Sequence, residues 1–201
     1  MQKIGLTGGI ATGKSYVAEA LRRGGIPVLD ADAIAHGVMA GGTEASAAIA
    51  SRFGGDILCA DGSVDRTKLG PIVFADSAAR RDLEAIVHPA VHRATIAGLR
   101  AFELLGHDTV VVAVPLLFET GHADDYDRVV VTACAPERQV ERLLARGLTE
   151  AAARQRMAAQ LPTEEKAGSA DFIVNTDGSF EETDRQVAAL LDVISSGRWE
   201  R

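Results

Sequence analysis

Residues 8–15 read Gly-Gly-Ile-Ala-Thr-Gly-Lys-Ser, which fits the phosphate-binding loop pattern G-x-x-x-x-G-K-[ST]. We expect Gly8 and Gly13 to adopt backbone angles that a side chain would forbid, so that the loop amides point at an anion. The helix that follows would add the positive end of its dipole. Lys14 would reach the outer phosphates of a nucleoside triphosphate, and the Ser15 hydroxyl would bind Mg2+.

The segments around this loop support that interpretation. Residues 3–7 are predicted to form a short buried strand, residues 15–23 a helix that ends at a Gly-Gly pair, and residues 26–30 a second strand. The loop therefore lies inside a βαβ unit, where such a loop belongs. A glycine-rich turn that binds nothing is the alternative, and this context disfavours it.

Strand and helix patterns alternate along the rest of the chain. Three apolar, β-branched runs predict further buried strands, at residues 109–114, 128–133 and 172–175. Helical patterns fill residues 43–53, 68–74, 77–88, 90–105 and 180–194, with a break expected at Pro89. The alternation predicts an α/β fold with a mostly parallel sheet, interrupted after its second strand by a mostly helical insertion.

Two carboxylates close the second predicted strand. If Asp30 and Asp32 both belong to the strand, they point to the same side at the carboxyl edge of the sheet, where ligands of α/β proteins bind. Pro115, and not an Asp, follows the apolar run 110–114, so Asp30 is the best acidic partner for Mg2+. Asp32 would then act as general base toward an acceptor hydroxyl. A helix cap explains one of the two residues, but less readily both.

A second helical insert, residues 136–160, is rich in arginine. Its arginines are Arg138, Arg142, Arg146, Arg154 and Arg156. A solvated helix face is one explanation, and a lid that closes over triphosphate is the one we favour. Arg142 and Arg146 lie one turn apart on one face, so we expect Arg142 first and Arg146 second to contact phosphates, with Arg138 at the surface.

Other polar residues carry weaker signals. His88, next to Pro89, is more often structural than catalytic in such a setting, and the remaining histidines have no metal-ligand spacing. Glu119 follows a Pro-Leu-Leu-Phe run near a predicted sheet edge. It would contact substrate or cap a helix, and the sequence favours neither.

Composition excludes several classes of function. The net charge of −7 argues against non-specific nucleic-acid binding, and the apolar runs are too short to span a membrane. No signal-peptide pattern is seen, and the two cysteines make no disulfide framework, so we expect a cytoplasmic protein. A GTPase switch lacks its motifs, because the single Asn, Asn175, is followed by Thr and no Asp has Gly three residues later.

The motifs together resemble those of the dephospho-CoA kinase family from residue 4 to about residue 180. The matching segments are residues 6–10, 13–15, 30–32, 34–35, 61–62, 65–66, 69, 73–74, 88–89, 114–119, 139, 142, 146, 156, 160, 166, 170–171, 175 and 178. The resemblance implies ATP-dependent phosphorylation of the ribose 3′-hydroxyl of dephospho-CoA, the last step of coenzyme A biosynthesis. Its implied cofactors are ATP and Mg2+.

The resemblance also implies an architecture and a set of site residues. It implies a three-layer P-loop NTPase fold, similar to nucleoside-monophosphate kinases, with a core at 1–31, 107–135 and 168–201, a substrate-binding insertion at 32–106 and a lid at 136–167. Asp32 matches the base, and Lys14 and Arg142 complete the catalytic set. Candidate donor-binding residues are Gly8, Gly9, Ala11, Thr12, Gly13, Lys14, Ser15, Tyr16, Arg142, Arg146 and Asn175. Candidate metal ligands are Ser15 and Asp30, and candidate dephospho-CoA contacts are Thr7, Asp32, Arg66, His88 and Glu119.

Two departures from the family pattern stand out. Tyr16 replaces the more usual Thr after the loop Ser, and the lid is one residue shorter than expected between Arg146 and Arg156. The second departure leaves open whether Arg154 or Arg156 takes part in closure. A kinase of the same architecture for a nucleoside or a shikimate-like alcohol is the main rival, because fold does not set substrate. We expect a monomer or small homo-oligomer.

Overall fold

A computed structural model describes residues 1–199 and contains one five-stranded, all-parallel sheet. The strands are β1 Gln2–Gly8, β2 Val28–Asp30, β3 Thr109–Ala113, β4 Arg128–Ala133 and β5 Phe172–Asn175, in the order β2-β3-β1-β4-β5. The predicted parallel α/β fold is confirmed, and β4 and β5 have the predicted bounds. β1 is central, so the loop that follows it leaves the middle of the sheet.

Nine α-helices are found within residues 1–199. They are α1 Lys14–Arg23, α2 Ala31–Val38, α3 Glu44–Phe53, α4 Arg66–Ala75, α5 Ser77–Leu104, α6 Pro136–Ala145, α7 Glu150–Ala158, α8 Thr163–Gly168 and α9 Phe180–Ser196. Side chains fix several helix starts, because Thr43, Asp65 and Thr149 accept hydrogen bonds from the first-turn amides of α3, α4 and α7. None of the helices described in residues 1–199 is long and apolar enough to cross a membrane.

The chain divides into two compact units. The first comprises Met1–Asp30 and Phe102–Arg201, and the second comprises Ala31–Ala101. In the first unit, one face of the sheet packs on α1 and α9 through residues such as Leu6, Leu21 and Leu190. The other face is covered by the β3–β4 connection and by α8. This unit therefore has three layers, with both faces of β1, β3 and β4 buried. The burial predicted for residues 172–175 is only partial, because β5 lies at the sheet edge and Ile173 is exposed.

The second unit is helical and has its own small core. Its buried apolar residues are Met39, Ile49, Ile57, Val64 and Leu69, with side chains from α3, α4 and the first half of α5 packed around them. The strand contact found in this unit is an isolated antiparallel bridge between Leu58 and Val64. The mostly helical insertion expected after the second strand is thereby confirmed.

The break predicted at Pro89 is wrong, because α5 runs through it as one helix from Ser77 to Leu104. Proline in a helix interior removes one backbone hydrogen bond and crowds the carbonyl four residues earlier, that of Ala85. Ala85, His88 and Pro89 are all exposed, so water can satisfy that carbonyl.

Candidate active site

The phosphate-binding loop joins β1 to α1 and departs from ordinary backbone geometry at two residues. Gly13 caps α1 in the left-handed region, with φ of 89°, as expected. The second is Ala11, with φ of 61°, although Ala has a side chain. The reason predicted for Gly8 is wrong, because its φ is not positive. Its requirement is space, since a Cβ there would lie 2.1 Å from Thr132 Oγ1.

Buried threonine hydroxyls fasten the loop from the sheet side. Thr12 is fully buried, and its Oγ1 donates to the Gly9 carbonyl at 2.7 Å and lies 2.8 Å from Thr132 Oγ1. Thr176, just beyond β5, donates from Oγ1 to the Thr12 carbonyl at 2.8 Å. Buried hydroxyls need such partners, so these bonds hold the loop in one shape before any ligand binds.

Two glutamines, one in α6 and one after α7, also hold the loop in place. Gln139 of α6 donates from Nε2 to the Ile10 carbonyl at 2.6 Å, and the Ile10 amide donates to Gln160 Oε1 at 2.8 Å. Leu143 and Ala153 pack against Ile10 and Ala11 in a small apolar cluster. The segment proposed as a lid is thus attached to the loop at two points, through Gln139 of α6 and through Gln160, which follows α7. A role in closure remains a prediction.

Arg142 lies half-buried between the loop and the end of β5. Its Nη1 donates to the Ala11 carbonyl at 3.0 Å and to Thr176 Oγ1 at 3.1 Å, and its Nη2 donates to the Thr176 carbonyl at 2.5 Å. A guanidinium has five N–H groups, so these bonds leave donors for a phosphate. Arg142 therefore braces the loop backbone, and its predicted contact with phosphate would be made from this braced position.

The other arginines of the segment differ in their surroundings. Arg138 is exposed, as predicted, and its Nη1 lies 2.8 Å from Glu141 Oε2. Arg154 donates twice to Glu150 Oε1, at 2.9 and 2.8 Å, one turn away on α7. Arg146 and Arg156 are exposed. An exposed pair of this kind is weak and does not keep Arg154 from a phosphate, so Arg154 and Arg156 both remain candidates, together with Arg146.

The two aspartates expected to share one strand do not do so. β2 ends at Asp30, and Asp32 lies in the first turn of α2, so the same-side argument from strand geometry is wrong for this pair. The chain passes directly from strand into helix. The sequence did not reveal this, because Asp is found both at the end of a strand and in the first turn of a helix. Asp30 is half-buried and pairs in register with Ala113, which also pairs with Leu6 of β1. Asp32 is exposed.

The second unit also carries the predicted residues Arg66 and His88. Arg66 is the first residue of α4, and its guanidinium contacts the imidazole of His36. His88 lies in the middle of α5 and is exposed. Thr7, in the first unit, is fully buried, and its hydroxyl donates to the Pro115 carbonyl at 3.3 Å. Thr7 therefore supports the segment that leads to Glu119.

Glu119 forms a buried ion pair that the sequence did not predict. Its Oε1 lies 2.6 Å from Lys166 Nζ, and the two side chains are 16% and 0% exposed. The same oxygen accepts the Leu161 amide at 3.1 Å, which ties the β3–β4 connection to the segment before α8. Glu119 Oε2 is buried and has no hydrogen-bond partner among residues 1–199, and the angles at Lys166 Nζ are not those of a hydrogen bond.

A cavity of about 480 Å3 opens beside the loop in the first unit. Its lining includes Gly9, Gln139, Gln160, Asn175 and Asp177. The backbone of Asn175 is fixed by the Gln186 side chain. Gln186 Oε1 accepts from the Asn175 backbone N–H, and Gln186 Nε2 donates to the Asn175 backbone carbonyl, both at 2.8 Å. The cavity adjoins the loop and has a mostly apolar lining with a few polar side chains, so it has room and hydrogen-bonding groups for part of a nucleotide.

Two titratable groups near the loop have shifted pKa values. Burial raises the pKa of Cys134, which lines the cavity, and the charge of Arg142 opposes part of that rise. The hydrogen bond from Tyr16 to Asp184 raises the pKa of the Tyr16 phenol. Both groups are therefore neutral near pH 7, and neither is an activated nucleophile.

A phosphate-binding loop at the centre of a parallel sheet of order 2-3-1-4-5, with arginine-bearing helices packed on it, places the protein in the class of P-loop kinases. The sequence profile of dephospho-CoA kinases matches residues 2–182. The chain belongs to the dephospho-CoA kinase family.

Individual proteins are similar to this chain over nearly its whole length. A dephospho-CoA kinase of Geobacillus kaustophilus is 46% identical over 189 residues, which cover 94% of both chains. A crystal structure from Thermus thermophilus has a TM-score of 0.81 and 35% identity over 95% of this chain and 96% of its own. A dephospho-CoA kinase from Campylobacter jejuni has a TM-score of 0.76 and 28% identity, covering 98% of this chain and 99% of its own.

Proposed function

We propose that this chain transfers the γ-phosphoryl group of ATP to the ribose 3′-hydroxyl of dephospho-CoA, giving coenzyme A and ADP. The family match over residues 2–182 carries the proposal, together with the braced phosphate-binding loop. The same match favours dephospho-CoA over the nucleoside or shikimate-like acceptors of related kinases. The small-molecule acceptor and the net charge of −7 fit a cytoplasmic enzyme without a nucleic-acid partner. We propose a monomer or small homo-oligomer.

The residues at the sheet edge suit Mg2+. Ser15 and Asp30 offer oxygen ligands, which Mg2+ prefers, and Asp30 lies at the level of Leu6, two residues before the loop begins. Mg2+ usually takes only one or two protein ligands besides phosphates and water. It therefore needs no cluster of three acidic, His or Cys side chains, and none is found in residues 1–199. When bound, the ion would neutralise charge on the β- and γ-phosphates.

The protein's own groups would divide the remaining work. Lys14 begins α1, where its ammonium would offset charge on the transferring group. Asp32 would accept the proton of the 3′-hydroxyl as that oxygen bonds to the γ-phosphorus and ADP departs. Arg142 and Arg146 would add positive charge from the lid. Thr7, Arg66, His88 and Glu119 would position dephospho-CoA, with Thr7 and Glu119 acting through the segment they support.

The test is direct. Purified protein with Mg2+ and ATP is given a panel of alcohols that includes dephospho-CoA, and products are identified by mass. We expect coenzyme A and ADP in equal amounts, with no product when EDTA removes Mg2+. Lys14→Ala should keep the fold and lose at least about 10²-fold in turnover. Efficient phosphorylation of another alcohol, with none of dephospho-CoA, would overturn the proposal.

The two aspartates are separated by their magnesium response. Asp32→Asn should lower turnover by about 10²-fold or more with dephospho-CoA binding intact, because the amide cannot accept the proton. Asp30→Asn should instead raise the Mg2+ concentration needed for half-maximal rate. Equal Mg2+ dependence in the two variants would refute this division of roles.

A further inference from the structure

One short segment of the chain lies directly against the phosphate-binding loop. It comprises residues 160–163, and we call it the loop support. Gln160 accepts the Ile10 amide through Oε1 at 2.8 Å. Thr163 packs on the neighbouring loop residue, because a Cβ added to Gly9 would lie 2.7 Å from Thr163 Oγ1. The loop support therefore contacts two consecutive loop residues, one through a hydrogen bond and one through close packing.

The loop support has little structure of its own. It follows α7, which ends at Ala158, and it ends at Thr163, the first residue of α8. The helix α8 has only six residues, and helices this short are not stable without tertiary contacts. The position of the loop support therefore depends on what its residues and those of α8 contact elsewhere.

Glu119 and Lys166 supply such contacts. A single oxygen, Glu119 Oε1, accepts the Leu161 amide at 3.1 Å and lies 2.6 Å from Lys166 Nζ. Leu161 belongs to the loop support, and Lys166 belongs to the helix that continues from it. This oxygen therefore joins the loop support and α8 to the β3–β4 connection.

Stability alone explains this arrangement poorly. Apolar residues of similar volume often stabilise a fold as well as a buried ion pair does, or better. An apolar residue at position 119, however, would leave the Leu161 amide without its acceptor, so the charged pair fixes an orientation that apolar packing would not. The Lys166 side chain is 0% exposed, so it is placed to act through its neighbours and not by touching a ligand.

We propose that Lys166 is a positioning residue for triphosphate binding. Lys166 holds the Glu119 carboxylate, Glu119 holds the Leu161 amide, and the loop support keeps Gly9 and Ile10 in the shape that receives phosphates. This inference rests on the proposed function, since it assumes that the loop binds a nucleoside triphosphate. It gives Glu119 a role on the donor side as well. Because the effect reaches the loop and not the base, ATP and inorganic tripolyphosphate should respond alike.

The test is calorimetry with Mg-ATP and with inorganic tripolyphosphate, without acceptor, at a temperature where circular dichroism shows each variant to be folded. Lys166→Met should weaken the binding of both ligands by the same factor, at least about threefold, since one neutral hydrogen bond is worth about 2- to 12-fold. The double variant Glu119→Gln/Lys166→Met should be more stable than Lys166→Met and still bind both ligands at least about threefold more weakly than the natural protein. It carries the test alone if Lys166→Met does not fold.

Leu190→Ala is the control matched for stability. Leu190 is fully buried in the core between the sheet and α9, away from the loop support, so its truncation should destabilise the fold strongly. Its affinities for ATP and tripolyphosphate should stay within twofold of those of the natural protein.

A double-mutant cycle identifies the route from Lys166 to the loop. Gln160→Met removes the acceptor of the Ile10 amide and should itself weaken tripolyphosphate binding. If Lys166 acts through the loop support, adding Lys166→Met to Gln160→Met should cost less than about twofold more. Losses that multiply as for independent sites would overturn this route.

Each remaining outcome also decides the inference. Affinities in Lys166→Met within twofold of the natural protein overturn it. So does an equal loss in Leu190→Ala, or a recovery of affinity together with stability in the double variant, because either would assign the effect to stability alone. A change confined to the KM of dephospho-CoA assigns the pair to the acceptor and overturns it. If the natural protein binds ATP but phosphorylates no dephospho-CoA, the proposed function fails while this binding test still stands.

Discussion

The buried pair of Glu119 and Lys166 offers the sharpest test of how this fold is held together. Replacing Lys166 by Met keeps the volume of the side chain and leaves the Glu119 carboxylate buried without a counter-ion. Breaking a buried pair in this way typically costs about 3–5 kcal/mol.

The two single variants should therefore differ. Lys166→Met should lose about 3 kcal/mol, because Glu119 is 16% exposed and keeps the Leu161 amide. Glu119→Gln should lose about 4 kcal/mol, because it strands an ammonium with 0% exposure. The double variant should be more stable than either, since replacing both charges of a buried pair is often neutral or stabilising.

Urea unfolding followed by circular dichroism at pH 7 measures all three variants. Lys68→Met is the matched control, because Lys68 pairs with Asp65 at 3.8 Å with 56% of its side chain exposed, and should lose less than about 1 kcal/mol. The reasoning fails if Lys166→Met behaves like this control, or if the double variant is no better than the worse single one.

Three further predictions concern the phosphate-binding loop, the two cysteines and Tyr126. Gly8→Ala should abolish ATP binding in calorimetry, because its Cβ would lie 2.7 Å from the backbone carbonyl of Thr132 and the loop would have to shift. Iodoacetamide at pH 8 should label one thiol in the folded protein, the exposed Cys59, and two after denaturation, because Cys134 is buried with a raised pKa. Burial raises the pKa of Tyr126 to about 12. Its share of stability is therefore complete below pH 10 and is lost as the pH rises toward 12, and Tyr126→Phe should flatten this part of the unfolding profile.

Each of these three has a clear contrary result. ATP affinity in Gly8→Ala within threefold of the natural protein would show that the loop has space to spare. Two labelled thiols in the folded protein would show that Cys134 is accessible. An alkaline profile unchanged by Tyr126→Phe would assign the loss of stability to other groups.

The strands were predictable because short runs of apolar, β-branched residues indicate them directly. β3 and β4 are runs of β-branched residues between polar ones, and a strand buried on both faces needs no other signal. β5 has the same kind of apolar run, although it lies at the sheet edge and Ile173 is exposed there. The phosphate-binding loop was predictable because its pattern follows from backbone geometry at a phosphate. Asp32 was misplaced because the change from strand to helix within two residues depends on tertiary packing, which short patterns do not record.

Polar residues with long-range partners were not predictable in the same way. Lys166 follows two exposed glutamates in a short helix, so its local sequence indicates a solvated face, yet it is fully buried against Glu119. Arg142 was expected to contact phosphate from its position on α6, but its partners on residues 11 and 176 arise only when three separate segments meet. Charge and spacing suggested that these residues matter, and the fold supplied what they contact.

The two glutamines that hold the loop reach only the amide and the carbonyl of Ile10, and not its side chain. These two hydrogen bonds place no demand on the side chain at position 10, which is specified instead by the small apolar cluster in which it packs. The backbone and the side chain of this one loop residue are therefore held by different parts of the same helical segment, more than a hundred residues away along the chain.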